Sequence, residues 1–486
     1  MPKGICSPFE KKSILHLVMM LGACFCSHVG IAADIDSVLV RQQWPWSTDV
    51  KVEYRLSNVT SPVDIKVECF NNATPLTIEN IDKAIIGKTY SLSKADEGIG
   101  FFYIDPVKAF GKSQVSLANF TVKLTLSEAN ALDSEPIYKI IDLETKQVTD
   151  LSRADFYNDR GRKYGTYETD FAAIGSSPSK GTPYTTSLEN VFIWTGVTND
   201  IAYKTTKLVM RRISAKNKTF MMGSNPNDIT VLASDNFQIE VTLTNDYWLG
   251  VFEVTRRQSE LLAGKKSTSL EESEMTMPYI GDRRHVSYNA LRGMPNDWTG
   301  WPENIYAVSD SSKIKKIRDL LPGMMFDLPT EAQWEFACRA GTYTQDYSGI
   351  PSSNGEDAGV DIAVLAKCKM TSAIKVDYEV GLFRPNAFGL YDILGNVGEA
   401  VRDLYDPSKM TQDEFVIPMS GNQTEPMGWT DVTAVCAAGE NCKMMYRGGS
   451  AVRDYTFNRC SERRQWYGID ATWSYKFGYR LWLYAD

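Results

Sequence analysis

Between Asp36 and about Leu132, apolar side chains recur at every second position, and beyond that stretch the pattern stops. Val50, Val52, Tyr54 and Leu56 fall on one face of an extended segment; Val63, Ile65, Val67 and Cys69 fall on another, and Phe120, Val122, Leu124 and Leu126 on a third. A period of two puts alternate residues on opposite faces of a strand. A hundred residues of half-buried strands separated by turn residues predict a small antiparallel β-sandwich of immunoglobulin or fibronectin type over residues 34–135. No cluster of nucleophiles or metal ligands stands out there, so it reads as an accessory or spacer module. The remaining length of the 486-residue chain exceeds what one more strand-only layer would need, and two domains are expected.

Residues 1–33 have a different grammar. Lys11 and Lys12 precede an apolar run from Ile14 to Phe25, and Gly30-Ile31-Ala32-Ala33 stands before the first acidic residues, Asp34 and Asp36. This is the order of a secretory signal peptide cleaved after Ala33, and it predicts an exported protein, periplasmic, extracellular or on the cell surface. Leu21-Gly22-Ala23-Cys24 offers the alternative of a lipoprotein anchored at Cys24. No other run reaches the length of a transmembrane span.

Composition excludes several functions. Lys plus Arg number 52 against 60 Asp plus Glu, a net charge of −8, so no positive field recruits nucleic acid. The three histidines are His16, His28 and His285, and the first two lie in the leader. One remaining imidazole rules out centres that need two or three, such as catalytic zinc. His285, in Asp282-Arg283-Arg284-His285-Val286, reads as a structural or surface residue. Outside the leader stand Cys69, Cys338, Cys368, Cys436, Cys442 and Cys460, too sparse for a disulfide scaffold though export permits individual bridges. Cys436 and Cys442 could close their own short loop, and the pairing of Cys69 and Cys368 is open.

Residues 136–203 show little pattern and read as a linker, most plainly at Gly175-Ser176-Ser177-Pro178-Ser179-Lys180-Gly181. A larger domain is expected over 204–486. Its clearest helix starts at Thr330, whose hydroxyl can cap it while Gln333 reaches back, with Trp334 and Cys338 supplying the buried side. A second helix is expected over Ser311–Leu321, with its Lys and Arg in water.

Within 204–486 several segments occur together: Thr219-Phe220-Met221-Met222-Gly223-Ser224, Tyr247-Trp248-Leu249-Gly250-Val251-Phe252-Glu253-Val254-Thr255, Leu328-Pro329-Thr330 through Gly341-Thr342, Asn386-Ala387-Phe388-Gly389-Leu390-Tyr391-Asp392, Gly395-Asn396-Val397, Arg447-Gly448-Gly449-Ser450 and Phe477-Gly478-Tyr479-Arg480-Leu481. In this order they resemble the formylglycine-generating enzyme family, the sulfatase-modifying factor domain. The resemblance implies an α+β chain whose C-terminal part has an irregular, C-type-lectin-like fold. It also implies an activity: active members oxidise a cysteine of an exported sulfatase to formylglycine with two cysteines, copper(I) and oxygen. Soft thiolates suit that chemistry because they hold Cu(I) and exchange with a substrate thiol.

The chain departs from that pattern where the reactive pair belongs. Ser450 is followed by Ala451-Val452-Arg453-Asp454-Tyr455-Thr456-Phe457-Asn458-Arg459, with no cysteine before Cys460. The resemblance gives Cys460 a different role, a structural disulfide with Cys338. Copper is therefore not expected. The same resemblance implies a structural calcium loop using Asn396, the Val397 carbonyl and Glu399, although Gly398 and Ala400 stand where relatives carry tryptophans. A ligand groove is expected near Ser450, Arg453 and Arg463, with Trp466, Tyr467, Trp473, Tyr475 and Trp482 as candidate lining. The reading is an exported, non-catalytic binding or scaffold member whose partner is a sulfatase, another exported polypeptide or a glycan. The alternative is a sulfatase-maturing oxidase that brings Cys368 or Cys442 near Cys460. A third reading, an iron-dependent oxidative enzyme, is weakened by the single histidine.

Overall fold

A computed structural model of the chain describes residues 33–43, 46–78, 81–111, 117–169, 191–224, 238–264, 270–279, 287–293, 306–342, 344–348, 362, 364–369, 379–405, 423–424, 443–465 and 477–485. The leader expectations and Cys24, and those for His285, Cys436, Cys442, Trp466, Tyr467, Trp473 and Tyr475, fall outside the described residues. The chain forms two compact units, residues 1–133 and 134–486.

The first unit has strands β1 (Asp34–Gln42), β2 (Val50–Ser57), β3 (Val63–Asn71), β4 (Thr74–Pro75), β5 (Ile85–Ile86), β6 (Gly98–Ile104) and β7 (Phe120–Glu128). They make two sheets ordered β1-β2-β6-β5 and β4-β3-β7, with every pair antiparallel. Val52, Tyr54 and Leu56 face inward opposite Val63, Ile65, Val67 and Cys69, and Phe102 and Ile104 complete the core. Among the described residues of this unit, Thr89 is the only buried polar residue. The strand ladders absorb the backbone polar groups, so the core can be wholly apolar.

The second unit holds β8 (Pro136–Asp142), β9 (Val148–Ser152), β10 (Lys207–Ile213), β11 (Lys218–Gly223), β12 (Gln238–Leu243), β13 (Tyr247–Gly250), β14 (Phe326–Asp327), β15 (Gly398–Tyr405), β16 (Gln423–Thr424), β17 (Lys443–Arg447), β18 (Arg463–Gln465), β19 (Phe477–Gly478) and β20 (Trp482–Tyr484). Three sheets result, ordered β14-β20-β13-β10-β8-β9, β11-β12-β16 and β18-β17-β15-β19. Short helices pack around them, the longest described being Lys313–Leu320 and Glu331–Arg339. The architecture is mixed helix and strand with much irregular chain between.

This corrects the first part of the expected linker, while its most linker-like stretch, residues 175–181, lies outside the described residues. Residues 136–142 and 148–152 are strands of the largest sheet, with β8 paired to β10 from Lys207↔Asp142 to Arg211↔Tyr138. The pattern was hidden because β8 buries both faces: Ile137, Tyr138, Ile140 and Ile141 are all buried, which breaks the alternation. Tyr138 sits in an aromatic cluster with Phe156, Phe192 and Trp194, ring centroids 5.4–6.5 Å away.

The helix expected at Thr330 runs Glu331–Arg339, with the Thr330 hydroxyl accepting from Gln333 N–H and the Gln333 side chain accepting from Thr330 N–H. The other expected helix covers Lys313–Leu320 behind Ser312 as cap. Its Arg318 does not face water. The guanidinium turns in and donates to the carbonyls of Phe326 and Tyr306, at 2.7 and 2.8 Å, and to Asp327 at 3.1 Å.

Candidate functional site

The site is built where two glycine turns meet above the helix Glu331–Arg339. Gly395 (φ +85) and Asn396 (φ +47) form the first turn, and Gly448 (φ +86) and Gly449 (φ +75) the second. Gly395 N–H donates to Gly448 O at 2.8 Å, and Ala451 N–H donates to Asn396 O at 2.9 Å. A side chain at Gly449 would place its Cβ 2.4 Å from Asn458 Oδ1, and one at Gly448 would meet the Trp334 ring at 3.0 Å. Only glycine tolerates both the left-handed backbone and that close approach. From the second turn the chain passes through Ser450 to Asn458, whose amide donates to the Asp454 carbonyl at 2.9 Å and pins the short helical turn Tyr455–Phe457. This is the stretch in which the family resemblance implies a reactive cysteine pair, and it holds none.

Two networks of buried charge underlie these turns. In the first, the Arg480 guanidinium donates to Glu399 (Nη2 to Oε1 2.6 Å, Nε to Oε1 3.0 Å) and to the carbonyls of Gly250, Val251 and Tyr391 at 2.7–2.8 Å. The other Glu399 oxygen accepts from the Trp334 indole at 2.7 Å. Glu253 accepts from the Asn396 amide at 2.7 Å and from Val397 N–H at 3.1 Å. Burial, then the charges of Asp392 and Glu399, push the Glu253 carboxyl well above the usual carboxylate range. Burial likewise pushes Asp392 up to about 6, against the opposing pull of the Gly381 N–H and Arg480.

The second network lies along the helix. Burial alone would raise Glu331, but Arg463 and Arg447 outweigh it and hold the carboxyl below its usual range. Arg463 grips Glu331 in a two-pronged pair (Nε to Oε1 2.7 Å, Nη2 to Oε2 2.6 Å). Arg447 spans Glu331 and Glu335 and also donates to Cys460 O at 2.8 Å. Arg339 joins Glu335 Oε1 at 2.8 Å to the carbonyls of Thr344 and Gly223. Beneath these lie Cys338 and Cys460, 122 residues apart in sequence, their sulfurs 3.1 Å apart as thiols and both wholly buried. Burial first, and then Cys460, pushes the Cys338 thiol well above its ordinary value.

These positions revise the expected site. Both Glu399 oxygens already accept hydrogen bonds from Arg480 and Trp334, and a guanidinium charge lies within 3.1 Å of each oxygen. A hard cation needs about six or more oxygens and no cation beside them, so Asn396, Val397 and Glu399 do not fit calcium. Of the groove candidates, Ser450 is buried and Arg463 is held by Glu331, while Arg453 is half-buried with its guanidinium 5.4 Å from the Phe457 ring centre. The three do not line one open groove. Trp482 is buried and stacks on Tyr306. The four cysteines among the described residues are all buried thiols, and the sequence has none between Ser450 and Asn458, so the described residues offer no reachable thiolate pair for copper(I).

Sequence reasoning missed Glu253, Asp392, Arg447 and Arg480 as the groups that organise the turns. The signal was a lone charge inside an apolar run, as in Val251-Phe252-Glu253-Val254 and Tyr479-Arg480-Leu481, where only a paired or neutralised charge can stay.

The family model described as "Sulfatase-modifying factor enzyme 1-like domain" matches residues 201–482. No curated protein matches the chain. Solved structures similar to it include Treponema denticola variable protein 1, 20% identical with TM-score 0.38 over 57% of this chain and 96% of that one. PvdO from Pseudomonas aeruginosa is 20% identical with TM-score 0.36, over 57% and 94% of the two chains. CarF is 16% identical with TM-score 0.32, over 57% and 99%.

Proposed function

The chain belongs to the sulfatase-modifying factor enzyme 1-like family, and from that premise we propose that it is an exported, non-catalytic member, a binding or scaffold protein for an exported polypeptide or a glycan. The single observation that carries this is the condition of its sulfur. The segment from Ser450 to Asn458 contains no cysteine, and the only cysteines brought together among the described residues, Cys338 on the helix Glu331–Arg339 and Cys460 against it, are both wholly buried. Thiol exchange and Cu(I) binding both require a thiolate that solvent and substrate can reach. A buried thiol whose proton is held more tightly than usual meets neither requirement.

The same pair serves the reading as a staple. In an oxidising compartment, loss of two protons and two electrons to an external disulfide or oxidant would join Cys338 to Cys460. That bond would lock the helix to the segment behind the second glycine turn. The irregular, lectin-like unit would then present its outer loops to a partner, and the first unit would act as a spacer.

A second reading is kept for one reason. Two thiols 3.1 Å apart are close enough to act together on one soft ion or one substrate sulfur if the chain that covers them were to open. Incubating the full chain with a Cys-x-Pro-x-Arg peptide, Cu(I) and oxygen separates the two. The proposal expects the peptide thiol to survive without aldehyde, and formylglycine in the peptide would overturn it.

A further inference from the structure

Residues 379–384 cross the larger unit outside any strand or helix, and single polar contacts hold their first half down. Glu379 pairs with Lys204 Nζ at 2.9 Å, Val380 N–H donates to Thr276 O at 3.1 Å, and Gly381 N–H donates to Asp392 Oδ2. Gly381 has φ +79, and a Cβ there would lie 2.7 Å from the Phe252 ring, so the backbone itself rests on that ring. Beneath it Phe252, Lys204 and Asp392 are all buried, while Leu382 on the segment is exposed. A stretch without ladder bonds is the kind of element that opens before the rest of its domain unfolds.

The charges around Asp392 do not balance. Facing it are Glu253 from the loop after β13, Glu399 of β15, Arg480 before β20 and Lys204 of the helical turn Ala202–Thr205, whose other partner is Glu379 of the segment itself. Arg480 gives its Nε and Nη2 to Glu399, and Lys204 binds Glu379. Two cations thus serve four carboxyl groups, and among the described residues Asp392 forms an ion pair with neither. The nearby phenols add no charge, since burial pushes Tyr391 and Tyr347 well above the usual tyrosine range.

Burial therefore outweighs the Gly381 N–H, Arg480 and Lys204, and raises the Asp392 carboxyl to about 6. Lifting the segment would hydrate Asp392 and return it toward the ordinary carboxylate range. The closed form then binds the proton more tightly than the open form, so it is favoured in acid and loses that advantage as pH rises through 6. We propose that residues 379–384 form a pH-sensitive strap, closed over Phe252 and Lys204 while Asp392 carries a proton and loosened when Asp392 is ionised, so that near neutral pH an aromatic ring and an ammonium group open to a partner. The strap works in this way whether or not the larger unit turns over a substrate.

The test is hydrogen exchange on the full chain from pH 5 to pH 8, each rate divided by the intrinsic rate at that pH. Protection of the Val380 and Gly381 amides should fall about tenfold or more across the range. Their exchange should ignore about 1 M urea, which speeds exchange of Trp334 N–H, bonded to Thr330 O inside the helix Glu331–Arg339. Asp392→Asn should abolish the fall. Glu379→Gln, at a half-exposed side chain that the fold does not depend on, frees Lys204 to face Asp392 and should move the fall to lower pH. Protection that does not change with pH, a fall that Asp392→Asn retains, or a fall that Glu379→Gln leaves in place would overturn the proposal. So would equal acceleration by urea at both places, because the whole unit and not a strap would then be opening.

Discussion

The two units solve one problem in opposite ways. In the first, backbone polar groups are consumed by ladders, and the core from Val52 to Ile104 is hydrocarbon with Thr89 as the lone buried polar residue described. In the second, loops leave carbonyls stranded in the interior, and guanidinium groups take the place of ladder partners. Arg480 serves Gly250, Val251 and Tyr391; Arg211 serves Phe388 and Ile137; Arg339 serves Thr344 and Gly223; Arg318 serves Phe326 and Tyr306. A planar donor with five N–H groups can satisfy several carbonyls and a carboxylate at once. An irregular fold can thus be rigid, at the cost of depending on a few buried charges.

That contrast is broken most sharply at Arg480. Arg480→Ala leaves Glu399 buried without its counter-charge and strips three carbonyls, so the larger unit should lose about 3–5 kcal/mol while the first unit is untouched. Urea unfolding followed by hydrogen exchange in each unit checks this, and equal loss in both would show that the units do not divide the work as described.

The staple is the next largest effect. Non-reducing peptide mapping of the protein recovered from an oxidising compartment should find Cys338 linked to Cys460. Breaking that bond with Cys338→Ser and Cys460→Ser together should cost the larger unit roughly 3–5 kcal/mol, given the length of the loop it closes. Free alkylated thiols at both positions would remove it from the account.

Acid response separates the units more gently. Burial raises Asp392 to about 6, and burial with the Glu331 charge raises Asp403 to about 7. Each carboxyl binds its proton more readily folded than unfolded. Its contribution to stability is full below the ordinary carboxylate range near pH 4 and is lost as pH climbs through 6 to 7. Asp392→Asn fits the left-handed φ of +54 at that position and should flatten the lower part of this slope, an effect on the order of 2 kcal/mol. Melts of the larger unit between pH 4 and pH 8 measure it. The smallest effect belongs to the hydrocarbon core, where Ile65→Val should cost the first unit about 0.5–1.5 kcal/mol without any pH dependence.

The sequence carried some of this plainly and concealed the rest for physical reasons. Val63, Ile65, Val67 and Cys69 announce a strand because one face is wet, and all four are buried as their spacing implies. Thr330 and Gln333 announce a helix start because the capping box is local. β8 could not be read, since a strand buried on both faces loses its alternation and its partner β10 lies about seventy residues onward. Arg463 and Glu399 looked like a groove cation and a metal ligand because a charge in a sequence carries no sign of its partner, and Glu331 and Arg480 are over eighty residues from them.

The functional conclusion turns on whether Cys338 and Cys460 can be reached from solvent. After mild reduction, the folded chain is exposed to iodoacetamide at pH 8 and mapped by mass spectrometry. Cys338 and Cys460 should remain unmodified until denaturant is added. Carbamidomethylation of both within minutes in the native protein would place a reachable thiol pair in this domain and contradict the non-catalytic account.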